Sequence, residues 1–346
     1  MCLNLAEELH RLNIESDFVT VYSVNADYDI PPYIHIYCIG IRKGSSLLSI
    51  FLGLVKSIPK VNAFISNEQY VLVTAHLPVS HILASLTKQS KKCLYVMHVT
   101  QHLSDQYWSR GYRFILRNFL HGKEIITVSK GLKKELKDEY QISKDKIEVI
   151  YNPCGLIPLK NESAINQSRK RPYILVMGRL EKQKDPELAL KLYYEGKFYR
   201  EYDLVYLGKG SHEELLRRKI REYKLDNYVY LEGFQKEITP WLKNASLLLS
   251  CSRQEGLPMN LVEALMCGTP VVAMNCPYGP DEILVDELEK YLLDPGNGVS
   301  ENIKIIRSAL TSYPVITDKY YRKFDGSQIV RRYLKIWNKF TEQNKR

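Results

Sequence analysis

Residues 250–283, SCSRQEGLPMNLVEALMCGTPVVAMNCPYGPDEI, decide how this chain is read. The apolar run 247–250 just before them predicts a buried strand. A polar loop over 251–256 follows. Pro258 suits the first residue of a helix, because its φ is already helical and its missing N–H is not needed there. Residues 260–266 continue that helix, and Cys267-Gly268 closes it with a glycine cap. Residues 269–274 predict the next buried strand.

The chemistry follows from that order. Glu255 stands in the loop at the strand's C-terminal end and Glu263 inside the helix, with seven residues between them. The N–H groups of Met259, Asn260 and Leu261 fall in the first helical turn, where they and the helix dipole favour an anion. A carboxylate repels a phosphate but accepts hydrogen bonds from sugar hydroxyls. Two carboxylates flanking an anion site therefore suit a ligand with hydroxyl-rich rings on both sides of a phosphate, which describes a nucleotide sugar. Taken alone, the pair reads as an ordinary helix N-terminus with one solvated and one ion-paired glutamate. Upstream, residues 173–177 predict a strand that ends in Gly178-Arg179-Leu180. Lys184 follows in the same loop, before Asp185 and Pro186, an N-cap and first-turn pair for the next helix. Arg179 can grip two phosphate oxygens in its planar fork, and Lys184 adds a point charge.

The whole stretch resembles the E-x7-E segment of retaining glycosyltransferases of family 4. The matching pieces are Glu255-Gly256-Leu257-Pro258, Glu263-Ala264 and 268–273, together with 178–185 as the diphosphate-binding loop. The resemblance implies an α/β GT-B fold, two Rossmann-like domains with parallel sheets facing across a cleft, and transfer from a nucleotide-activated sugar with retention of configuration. It implies that Glu255 holds the transferred sugar, Glu263 the ribose hydroxyls, and Arg179 and Lys184 the leaving diphosphate, with no metal. Gly208 and Gly210 let a ligand approach the backbone, Phe234 stands where the family holds the base, and residues 277–283, with Gly279, resemble its loop near the donor sugar. UDP is the nucleotide the family suggests. The family's first strand and its Gly-Gly-x-Glu-like turn are expected before Leu3, so the chain looks trimmed at its start.

Composition bounds these readings. The 346 residues suit two α/β domains, expected at 1–151 and 172–318, with a polar linker over 152–171 and a basic terminal helix over 319–346. Seven scattered cysteines without a CxxC pair argue for reduced thiols and a cytoplasmic setting. No apolar run reaches membrane length. The net charge of +10 admits an anionic partner, but no RNA- or DNA-binding signature accompanies it. Asp27-Tyr28-Asp29 is the one DxD-like triplet, and it reads as a solvated loop.

In the first half, 2–12 and 45–56 have helical spacing, and 17–23, 34–39, 70–75, 93–97, 125–129 and 147–150 predict strands. His76 and His98 end two of those strands, where ligands gather in open parallel sheets. His98 resembles the family's donor-sugar histidine, whereas His76 reads equally as a hydrogen-bonded loop residue. His98 and His102 make a poor zinc pair without an adjacent glutamate. Arg110, Arg113 and Arg117 fall at helical spacing beside aromatic residues. That pattern fits a helix on an anionic membrane surface and equally a solvated face over an apolar seam.

The sequence thus points to a cytoplasmic, peripherally membrane-bound glycosyltransferase acting on lipopolysaccharide or another surface glycan. The alternatives are a catalytically impaired nucleotide-sugar-binding subunit and a nucleotide-sugar epimerase.

Overall fold

The structure, a computed structural model, describes residues 1–22, 30–41, 47–66, 70, 72–88, 90, 93–98, 114, 117–155 and 171–344. The chain forms two compact units: Met1–Pro153 together with Gly326–Arg346, and Cys154–Asp325.

The first unit starts with helix α1 (Cys2–Arg11), whose Leu5, Ala6 and Leu9 are buried. Strands β1 (Ser16–Tyr22) and β2 (Ile34–Ile41) pair in parallel from Ser16 opposite Ile34. Helix α2 (Leu47–Ile65) follows. It outruns the expected 45–56 because the apolar pattern continues past Pro59 to Val61 and Ile65, both buried. Then come β3 (Val73–His76), α3 (Pro78–Ser85), β4 (Cys93–Met97), β5 (Ile125–Thr127), α4 (Lys130–Asp138) and β6 (Ile147–Val149). Strands β3 to β6 form one parallel sheet in sequence order. Every residue of β4 is buried, as a central parallel strand covered on both faces requires. Val21 of β1 joins Val61, Ala75, Tyr95, Met97 and Ile147 in a single core. Arg117 is helical and exposed. Arg110 and Arg113, like His102 and the triplet at 27–29, lie outside the described residues.

The second unit alternates strands and helices: β7 (Tyr173–Met177), α5 (Pro186–Glu195), β8 (Asp203–Leu207), α6 (Glu213–Glu222), β9 (Val229–Leu231), α7 (Thr239–Asn244), β10 (Leu247–Ser250), α8 (Met259–Met266), β11 (Val271–Met274), α9 (Pro280–Ile283), β12 (Leu292–Leu293) and α10 (Val299–Ser312). All six strands are parallel, in the order β12-β11-β10-β7-β8-β9. The chain builds outward from β7 in one direction, then returns to β7's other side with β10. The switch point therefore lies between β7 and β10, where ligands of doubly wound sheets bind.

The last helix, α11 (Gly326–Asn344), belongs to the first unit and packs on α1. It starts later than residue 319, because 318–324 form two short 3-10 turns. Its Ile329, Val330, Tyr333 and Trp337 are buried. Among the described residues no helix is long and apolar enough to cross a membrane.

Candidate active site

The loops after β7 and β10 flank the switch point, and they carry the residues picked out above. Lys184 Nζ and Glu255 Oε1 stand 2.5 Å apart. Glu255 is 8% exposed, so a large part of its hydration has been replaced by this one cation. Its backbone is clamped as well: its N–H donates to Pro277 O at 2.7 Å and its carbonyl accepts from Tyr278 N at 2.9 Å. Further bonds tie the two loops together. Gln183 Nε2 donates to Gln254 O (2.9 Å), Arg253 N to Gln183 O (2.8 Å), and Arg253 Nε to Asp185 Oδ2 (2.7 Å). Asp185 also caps α5, accepting from Leu188 N at 3.2 Å. Arg179 is exposed, and its guanidinium meets only Gln183 Oε1, at a weak 3.3 Å, among the described residues. Most of its fork is open to an anion.

Three glycines bring the loops close. Gly208 has φ +140°, and a Cβ there would fall 1.9 Å from Gly178 O. At Gly210 it would fall 2.2 Å from Leu180 O. Both glycines are therefore demanded by the chain's own backbone crossing between the β7 and β8 loops, a reason that sequence spacing did not reveal. Gly279 (φ +101°) seats the β11 loop on Pro258, Leu257 and Gly256, with a Cβ 2.9 Å from Pro258 Cδ. Gly256 and Leu257 are buried beneath it.

Helix α8 begins one residue later than expected. Pro258 is its N-cap, with ψ of 91°, and Met259 its first residue. Leu261 N–H is not open to a ligand, since it donates to Pro258 O at 3.1 Å. Met259 and Asn260 N–H donate to no described residue, and they form the reduced anion site. The Asn260 side chain is already used, donating to Met177 O at 3.0 Å and tying α8 to the end of β7. Glu263 lies half-buried one turn on. Its carboxylate has no hydrogen-bond partner among the described residues, and burial raises its pKa above the usual carboxylate value. Phe234 exposes 40% of its surface, just beyond the Gly233 carbonyl that accepts Gly208 N at 2.7 Å.

In the first unit His76 and His98 are in contact. His76 Nδ1 lies 2.9 Å from His98 Nε2, and His76 Nε2 lies 2.9 Å from Thr74 Oγ1. Burial holds both rings below the ordinary histidine pKa, His98 at about 4. Their contact was legible only as two strand ends side by side. No three His, Cys, Asp or Glu side chains are gathered as a metal site among the described residues.

Comparison with known proteins agrees with this architecture. Residues 1–155 match the family model described as Glycosyltransferase Family 4, and residues 160–324 match Glycosyl transferases group 1. An uncharacterised glycosyltransferase of Methanocaldococcus jannaschii is 31% identical over 172 residues, 47% of this chain and 42% of that protein. The lipopolysaccharide 1,6-galactosyltransferase of Salmonella typhimurium is 29% identical over 180 residues, 49% of this chain and 48% of that protein. The match thus spans less than half of each of these relatives. The Anabaena HepE structure, in complex with UDP-glucose, superposes with a TM-score of 0.74 at 17% identity, over 98% of this chain and 95% of that one. With both halves matched in order by glycosyltransferase models and the fold shared with such enzymes, the chain belongs to the GT-B glycosyltransferases.

Proposed function

We propose that this protein transfers a sugar from a nucleotide-sugar donor to a glycan acceptor of the lipopolysaccharide or surface-polysaccharide kind, with retention of configuration. The observation that carries the reading is the asymmetry of the two glutamates around the start of α8. Glu255 is buried, clamped and paired with Lys184. Glu263 is desolvated and unpartnered among the described residues. Between them lie the open N–H groups of Met259 and Asn260.

A diphosphate at these amides draws Lys184 and Arg179 towards itself. Glu255 is then freed to accept from the hydroxyls of the transferred sugar, while Glu263 accepts from the ribose. Phe234 offers its exposed ring to the base. Charge on the leaving diphosphate is met by the two cations and the helix end, so positioning and electrostatics supply most of the rate. His98 is assigned to the transferred sugar on the family resemblance. The Salmonella relative, a lipopolysaccharide galactosyltransferase, and HepE, solved with UDP-glucose, support the acceptor and donor classes.

The test is a thermal-shift and calorimetry screen of UDP, GDP, ADP and their common sugars. A ligand that binds only the folded state raises its melting temperature. One nucleotide is expected to stabilise the protein selectively, and Glu255→Ala to lower sugar transfer by about a hundredfold or more while the variant still folds. Binding without turnover in any lysate fraction would instead favour the non-catalytic subunit. Unchanged turnover in Glu255→Ala would sink the assignment of the site.

A further inference from the structure

The first unit contains a hydrogen-bonded chain that no role assigned above uses. Thr74 and His76 lie two apart on β3, on one face of the strand. His76 is registered opposite Val96 of β4, so His98, two residues further along, is its diagonal neighbour. Thr74 Oγ1 meets His76 Nε2 and, across the ring, His76 Nδ1 meets His98 Nε2, both at 2.9 Å, with the two ring planes 21° apart. The remaining nitrogen, His98 Nδ1, bonds no described residue.

A third histidine holds the strand ends that carry this chain. His81 on α3 is fully buried, and its Nε2 lies 3.0 Å from both Ala75 O and Val96 O. Two carbonyls can only accept, so His81 Nε2 carries the proton and donates to both strands. That fixes its tautomer, and its buried Nδ1 has no partner among the described residues. The bond spans β3 one residue before His76 and β4 two residues before His98. The two rings are therefore set by the backbone around them.

We infer that His76 is a positioning residue: its bond to His98, backed by Thr74, holds the His98 ring in one orientation, couples its tautomer to that of His76 and leaves Nδ1, which bonds no described residue, for a ligand hydroxyl. Which nitrogen of an imidazole carries the proton is set by the bond the other nitrogen makes. Both rings are neutral at pH 7, since burial lowers His98 to about 4 and His76 well below its usual value. One proton then lies between them. If His98 Nε2 accepts it, Nδ1 must donate; if Nε2 donates, Nδ1 must accept. Thr74, able to do either, completes the chain in both senses. Without His76 no described residue holds His98 Nε2, and the ring can turn so that Nδ1 no longer meets the sugar.

The inference rests on the assignment of His98 to the donor sugar, and two measurements separate the two. The first needs no ligand: side-chain 15N spectra of the full chain at pH 7.5. One slowly exchanging imidazole N–H shared between His76 Nδ1 and His98 Nε2 is expected in the native protein and is lost in His76→Phe. The second is the release of UDP from UDP-glucose, UDP-galactose and UDP-N-acetylglucosamine. In His76→Phe, kcat is expected to fall about tenfold, the scale of one hydrogen bond, with donor KM within about twofold. His76→Asn, which keeps a polar atom near the Nδ1 position, restores most of the rate; a merely structural residue would not discriminate in this way. If His76→Phe does not fold, Thr74→Val and the native spectrum decide. A native spectrum without that shared N–H, or equal kcat in His76→Phe, overturns the inference. Native protein that cleaves none of the three donors counts against the donor assignment, and the spectra still judge the histidine pair.

Discussion

Glu255 and Glu263 are the same residue type within one short stretch, and their surroundings separate them. Glu255 has a cation and a doubly bonded backbone. Glu263, held in the helix, has no such cation among the described residues, and burial raises its pKa. The sign of the pH effect follows. An acid whose folded pKa is raised costs nothing below its unfolded value of about 4.3, and its cost is complete once the pH has passed the folded value. Glu263→Gln removes that cost. Its melting temperature is expected to exceed the native protein's at pH 7.5 and to converge with it near pH 4, while UDP binding weakens. A lower melting temperature at pH 7.5 would reveal a stabilising partner for the carboxylate. The residues of this site were legible because their types and spacing are chemical statements. The Lys184–Glu255 pair was not, since its partners are 71 positions apart and only the sheet order brings them together.

Among the elements, those fully covered by their neighbours were the easiest to read. Strand β4, buried at every residue, begins and ends where its apolar run does, because a strand buried on both faces must be apolar throughout, and the bounds of β7 and β10 also coincide with the predicted runs. Ends set by tertiary contacts were harder to place. The late start of α11 depends on two short 3-10 turns that periodicity does not record, whereas α2 runs on past Pro59, a residue that ordinarily ends a helix. The glycines divide in the same way. Gly208 combines a left-handed backbone with a carbonyl 1.9 Å from where its Cβ would sit, whereas Gly268 (φ +77°) has nothing within 4 Å. Gly208→Ala is therefore expected to destabilise the second unit by roughly 3 kcal/mol or more. Gly268→Ala carries only the conformational cost, roughly 1 kcal/mol. Urea unfolding followed through Trp241 of the second unit checks both, and equal costs would refute the backbone-crossing account.

For the whole molecule, the decisive feature is that α11 closes the unit opened by α1. Its four buried side chains, Ile329, Val330, Tyr333 and Trp337, represent roughly 6 kcal/mol of burial or more. That is comparable with the entire stability of an ordinary domain. A chain ending at Asp325 is expected to lose cooperative unfolding of its first unit and to keep the Trp241 transition and UDP binding of its second. Retention of both transitions would show that α11 is an accessory.

The same connection sets an order of events during synthesis. When the ribosome has passed Pro153, α1 still lacks its packing partner α11, and every residue of the second unit must be made before α11 appears. At roughly 5–20 residues per second, that wait is on the order of ten seconds or more. Helix α1, with Leu5, Ala6 and Leu9, spends it without α11, within reach of chaperones and of other nascent chains. The unit begun first is the last to be sealed.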